Sequence, residues 1–148
     1  MKIDKVQKDL ITMFYNCDED RILYNVIEDK KEVHITTDGV LLHIIPKSYF
    51  WLDINKFEKR CRRIDTTKLL LNDIEKYKIA EYTGHIVEKG KKSLAKLKVD
   101  DFETYVNVNL LKRYYNIHNI EFKVIEPLKP VLIYENNTLC GLIMPFEC

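Results

Sequence analysis

Four histidines (His34, His43, His85, His118) and four cysteines (Cys17, Cys61, Cys140, Cys148) are the side chains of this 148-residue sequence best suited to act as bases, nucleophiles or metal ligands. No two cysteines form a CxxC pair, and no histidine stands at a ligand spacing from them, so a zinc knuckle, a thioredoxin motif and a local Cys/His signature are all missing. The expectation is reduced thiols and structural histidines, with His34 and His43 in strands flanking a turn. Gly84-His-Ile-Val-Glu-Lys-Gly90-Lys91-Lys92 superficially resembles a phosphate-binding loop. Five residues separate its glycines where such loops have four, and Lys92 stands where a Ser or Thr would hold magnesium. Asp100, Asp101 and Glu103 have no partnered acid and no metal-ligand pattern. The sequence therefore predicts no catalytic residue, no metal and no cofactor.

What remains is charge. Lys plus Arg number 24 and Asp plus Glu 23, a formal +1, so any polyanion surface must be local. The densest candidate is Lys59-Arg60-Cys61-Arg62-Arg63, whose Lys59, Arg60, Arg62 and Arg63 could make a separate DNA or RNA contact. The competing reading is the polar face of a helix, since Asn55 to Lys68 is basic and helix-permissive.

The elements that must position these groups follow from periodicity. Ile3, Val6, Leu10, Met13 and Phe14 recur at three- and four-residue spacings, which predicts an amphipathic helix over 3–15. Asp18, Glu19 and Asp20 break it. Strands are predicted at 22–27, from Val33 to Thr37 and over 40–45, with Asp38-Gly39 supplying the second turn. Lys78 to Glu88 is β-like, and Lys89 to Lys92 is a tight turn. Asn107 can cap a helix over 108–116, and Ile120–Val124, Val131–Tyr134 and Leu139–Met144 are strands. The order α, β, β, β thus occurs twice. It implies an α+β domain spanning 1–148, with two α-plus-antiparallel-strand halves and the helices on one face of the sheet. An apolar share of 46% can supply its core. No window approaches the roughly 18 apolar residues of a membrane span, and 1–15 lacks a signal-peptide pattern, so a cytoplasmic protein without membrane contact is expected.

Two stretches are more specific. Arg21-Ile-Leu-Tyr-Asn-Val26 precedes Val33-His-Ile-Thr-Thr-Asp-Gly-Val-Leu-Leu42, and Val106-Asn-Val-Asn-Leu-Leu111 precedes Pro130-Val-Leu-Ile133 and Leu142-Ile-Met-Pro-Phe146. In order and spacing, over about two-thirds of the chain, they resemble the bacterial DNA polymerase III beta subunit, the sliding clamp. The chain has room for one of that family's three domains, and residues 47–104 depart from its pattern.

The resemblance implies a single DNA-clamp-like domain acting without catalysis in DNA replication or repair. It implies helix lysines facing duplex DNA: Lys2, Lys5 and Lys8 on the first helix, Lys112 and Arg113 on the second. Such contacts read phosphate and not base sequence, which permits sliding. It also implies a pocket for polymerase or clamp-loader peptides, with Thr37, Gly39 and Leu42 on one side and Leu128, Pro130, Leu142, Met144 and Pro145 on the other. With one domain per chain, these sides would meet between neighbouring subunits of a homo-oligomer, and a six-domain ring would need six copies. The alternative is a phage or mobile-element interaction protein that keeps the clamp fold as a monomer and does not encircle DNA.

Overall fold

A computed structural model describes residues 1–16, 22–36, 39–57, 61–66 and 74–147. Thr37, Asp38, Lys59 and Arg60 lie outside them, as do Cys17, Cys148, the acidic cluster 18–20 and residues 67–73. The chain divides into two compact units, one of residues Lys2–Asn72 and one of Asp73–Cys148 together with Met1. The described residues hold two α-helices and ten strands, and within the two units the strands pair antiparallel except Ile22–Ile27 with Cys61–Arg63, so the class is α+β with mixed strand pairing.

In the N-terminal unit, helix α1 (Ile3–Asn16) buries Val6, Gln7 and Leu10, which share one face at three- and four-residue spacing. Strands β1 (Ile22–Ile27), β2 (Glu32–Thr36) and β3 (Leu41–Pro46) form an antiparallel meander. Thr36 holds the second turn: its hydroxyl donates to the Leu41 carbonyl (2.8 Å) and accepts from the Gly39 N–H (3.2 Å), while Gly39 takes φ +70. Strand β4 (Cys61–Arg63) pairs with β1 in parallel. This corrects the helical expectation for Asn55 to Lys68. A 3-10 turn covers Ile54–Phe57, and Arg62 and Arg63 lie on an extended edge, exposed. Edge pairing overrides propensity in such a short segment.

The C-terminal unit opens with a three-stranded meander that sequence reading located only in part. Strands β5 (Lys78–Lys89) and β6 (Lys92–Val99) form the hairpin expected around Gly90, and β7 (Phe102–Asn107) follows through a turn in which Asp100 has φ 43. The Asp100, Asp101 and Glu103 carboxylates thus belong to a turn and an edge strand. Asn107 then caps helix α2 (Val108–Tyr114), its side chain accepting from the N–H groups of Asn109 and Leu110 (3.1 and 3.2 Å). Helix α2 packs on β6. Strands β8 (Ile120–Val124), β9 (Val131–Glu135) and β10 (Thr138–Ile143) complete a second meander, and Asn136 and Asn137, both at positive φ, turn β9 into β10. Both units therefore contain a helix followed by three consecutive antiparallel strands. Leu94, Leu97, Leu111, Phe122, Val124, Ile133 and Ile143 are fully buried in the core of this unit. No helix among the described residues is long and apolar enough to cross a membrane.

Candidate nucleic-acid interface

Lys2, immediately before helix α1, and Lys5 and Lys8 on it are all exposed. At 1.5 Å rise per residue they span about 9 Å of helix axis. None of the three has an ion-pair partner among the described residues, so each can attract an external anion. Asp4 and Asp9 lie on the same helix, which keeps this a row of lysines and not a strongly positive field.

A loop that sequence reading missed packs against the same helix. Pro46 ends β3, and one 3-10 turn, Lys47–Tyr49, leads into extended backbone at Phe50. The buried Gln7 carboxamide then clamps that loop. It donates to the Tyr49 carbonyl (3.1 Å) and accepts from the N–H groups of Trp51 (2.8 Å) and Leu52 (3.0 Å). With Gln7 at 0% exposure these bonds are shielded from water, and the buried side chains of Leu52 and Ile54 anchor the segment beyond. The Trp51 indole N–H donates to Asp4 (2.9 Å), which orients the ring. Even so, Trp51 is 48% and Tyr49 64% exposed, so two aromatic residues stay open to solvent on a backbone that Gln7 fixes to α1. A usable signal was present in the sequence: the run Tyr49-Phe50-Trp51 after a proline holds the chain's single tryptophan.

Other expected positions are distributed between the units. Lys112 and Arg113 are exposed on α2, with the Arg113 guanidinium 5.5 Å from the Tyr114 ring centre. Gly39 is exposed and Leu42 buried in the N-terminal unit. In the C-terminal unit Leu128 and Met144 are exposed, Pro130 and Pro145 half-buried, and Leu142 buried.

Arg63 belongs to a cleft of about 640 Å³ at the end of the parallel β1/β4 pair, lined by Asn25, Val26, Ile27, Glu28, Asp29, Ile64 and Asp65 as well. Its Glu28 is bound to Lys47 at 2.6 Å. Behind the cleft runs a buried polar chain. Asn25 donates to the Thr66 hydroxyl (3.1 Å), Thr66 meets His34 Nδ1 (2.5 Å), and His34 Nε2 meets Glu32 (3.2 Å). One proton arrangement satisfies all of them: Thr66 donates to an unprotonated Nδ1, and Nε2–H donates to the carboxylate. Burial agrees, holding His34 below the ordinary histidine pKa against the opposing pull of Glu32. Thr66 is fully buried with its oxygen already accepting a bond, so this Glu–His–Thr alignment presents no nucleophile at the surface. No three His, Cys, Asp or Glu among the described residues are grouped as metal ligands. Burial pushes the Cys140 thiol up to about 12, and its S–H donates to the Ile133 carbonyl, which makes it a packing group.

No family model, no curated protein and no solved structure matches this chain.

Proposed function

We propose that this chain is a non-catalytic, clamp-like protein that binds DNA in replication or repair. The observation that carries the reading is the exposed row of Lys2, Lys5 and Lys8 at the start of α1, which has no ion-pair partner among the described residues. Its support includes the motif order resembling the sliding clamp and the helix-plus-three-strand pattern in both units. Exposed Lys112 and Arg113 on α2 supply the second basic position the reading requires. Binding of this kind needs only phosphate attraction, so it is sequence-independent and falls steeply with salt. Polymerase or clamp-loader peptides are the protein partners it implies, and a homo-oligomer is the assembly.

The test pairs duplex binding with solution mass. Three phosphate contacts predict a log–log salt slope of about −2.7 from these lysines alone. The Lys2→Glu, Lys5→Glu, Lys8→Glu variant should keep its circular dichroism spectrum and lose most of its affinity for duplex DNA. Unchanged affinity and slope would overturn the reading. Light scattering with covalently closed circular DNA then decides the mode: about six chains per complex means a ring, and a monomer on DNA means binding without encirclement.

A further inference from the structure

We propose that the Tyr49–Trp51 loop and the adjoining α1 lysines form a binding site for single-stranded DNA, in which the rings stack on unpaired bases while Lys5 and Lys8 hold the flanking phosphates. The inference rests on the α1 reading above and adds the ligand's state: a strand whose bases are free.

Three observations carry it. First, exposure at Trp51 is built into the fold. Gln7 fixes the backbone on both sides of the residue and Asp4 fixes the indole edge, yet half of this large side chain still faces solvent. Burying such a ring would ordinarily stabilise the fold, so a ring held open on a clamped loop is pre-organised for an external partner. Second, Asp4 holds the indole by its Nε1 edge and not by a ring face, and about half of the side chain stays open to solvent for stacking. Third, a cation stands on the same side of the helix: exposed Lys8 lies one helical turn from Asp4, the residue that holds the indole edge. Exposed aromatics interleaved with lysines are the combination that single-strand binders use, because every base has a π-face and every nucleotide a phosphate. A duplex would satisfy the lysines but keep its bases stacked away from the rings. A protein partner with an apolar face would leave the lysines unpaired.

Trp51 is the sole tryptophan, so its emission reports on this loop alone. The full chain is titrated with an unstructured oligothymidylate of about ten nucleotides, within the span that stacking sites cover, and with a duplex of equal length. The oligothymidylate should quench Trp51 saturably, and the duplex should not. Trp51→Ala should weaken oligothymidylate binding by about tenfold or more while changing duplex affinity by less than about twofold. Trp51→Phe, which retains a ring, should recover part of the loss and guards against a folding defect in the alanine variant. Oligothymidylate binding without quenching, or with equal affinity in Trp51→Ala and wild type, would overturn the site but leave the α1 reading intact. If neither nucleic acid binds in a salt-dependent manner, both fail.

Discussion

Lysines and aromatic rings are used differently in the two units. In the C-terminal unit the Phe146 ring lies under Lys89 and Lys92, with ammonium groups 5.3 and 4.4 Å from its centre. Its N–H donates to the Tyr105 carbonyl on edge strand β7 (2.7 Å), and Lys89 donates to the Glu147 carbonyl (3.0 Å). The same ingredients in the N-terminal unit are left open: Lys5 and Lys8 have no ion-pair partner among the described residues, and Trp51 is half exposed on a loop that hydrogen bonds hold fixed. Where the chain supplies both the cation and the ring, the contact closes a sheet edge. Where the ring is bonded only at its edge, the contact is available to a ligand.

The interiors differ in the same sense. Among the described residues the C-terminal unit buries one polar side chain, Thr104, in a core that is otherwise apolar, whereas the N-terminal unit buries Gln7, Asn25, His34, Thr36, His43 and Thr66. Each buried carboxamide, hydroxyl or imidazole needs partners, so this unit gains positional definition at the expense of apolar contact.

Removing Gln7 should have the largest effect. Gln7→Ala leaves the Trp51 and Leu52 N–H groups without their acceptor and should destabilise the unit by about 3 kcal/mol, read as a lower urea midpoint. Trp51 emission should shift and broaden as the loop loses its fixed geometry. A stable variant with unchanged emission would mean that the loop is held by something other than this carboxamide.

Thr66→Val comes next. It breaks the chain between Asn25 and His34 and should cost about 2 kcal/mol, with little effect on nucleic-acid binding. The same chain sets a pH dependence. Burial holds native His34 below its ordinary value of 6.5, against Glu32 and alongside Lys30, so the unfolded chain takes up the proton more readily. This contribution to stability is therefore complete above pH 6.5 and is lost as the pH falls below it. Urea midpoints measured from neutral pH downward should fall in wild type, and the part due to His34 should be absent in His34→Gln.

Phe146→Ala should have the smallest effect. Loss of two partly exposed cation–π contacts should cost about 1 kcal/mol and leave single- and double-stranded DNA binding unchanged. A loss of DNA affinity in this variant would erase the contrast between the closed and open sites.

Much of the fold was legible in the sequence because it is locally encoded. The apolar stripe of α1, the positive φ of Gly39 and the Asn107 cap each depend on a few neighbouring residues, and all form where their chemistry places them. The misreadings share a different cause. Arg62 and Arg63 lie in a strand because β1 offers them a parallel edge, a partner some forty residues earlier in the chain. Strand β7 went unread because the charged turn at Asp100-Asp101 masks its short alternation.

The candidate site divides along the same line. Residue types and spacing alone determined the lysine row on α1 and excluded a local phosphate loop or zinc motif, since helix period and ligand spacing are properties of adjacent residues. Only the tertiary structure decided that the loop carrying Tyr49 and Trp51 is bound to that helix. The carboxamide that fixes them, Gln7, lies more than forty residues earlier in the chain, where it reads as one polar residue on a helix; its three hydrogen bonds exist only once the loop after β3 has folded back onto α1.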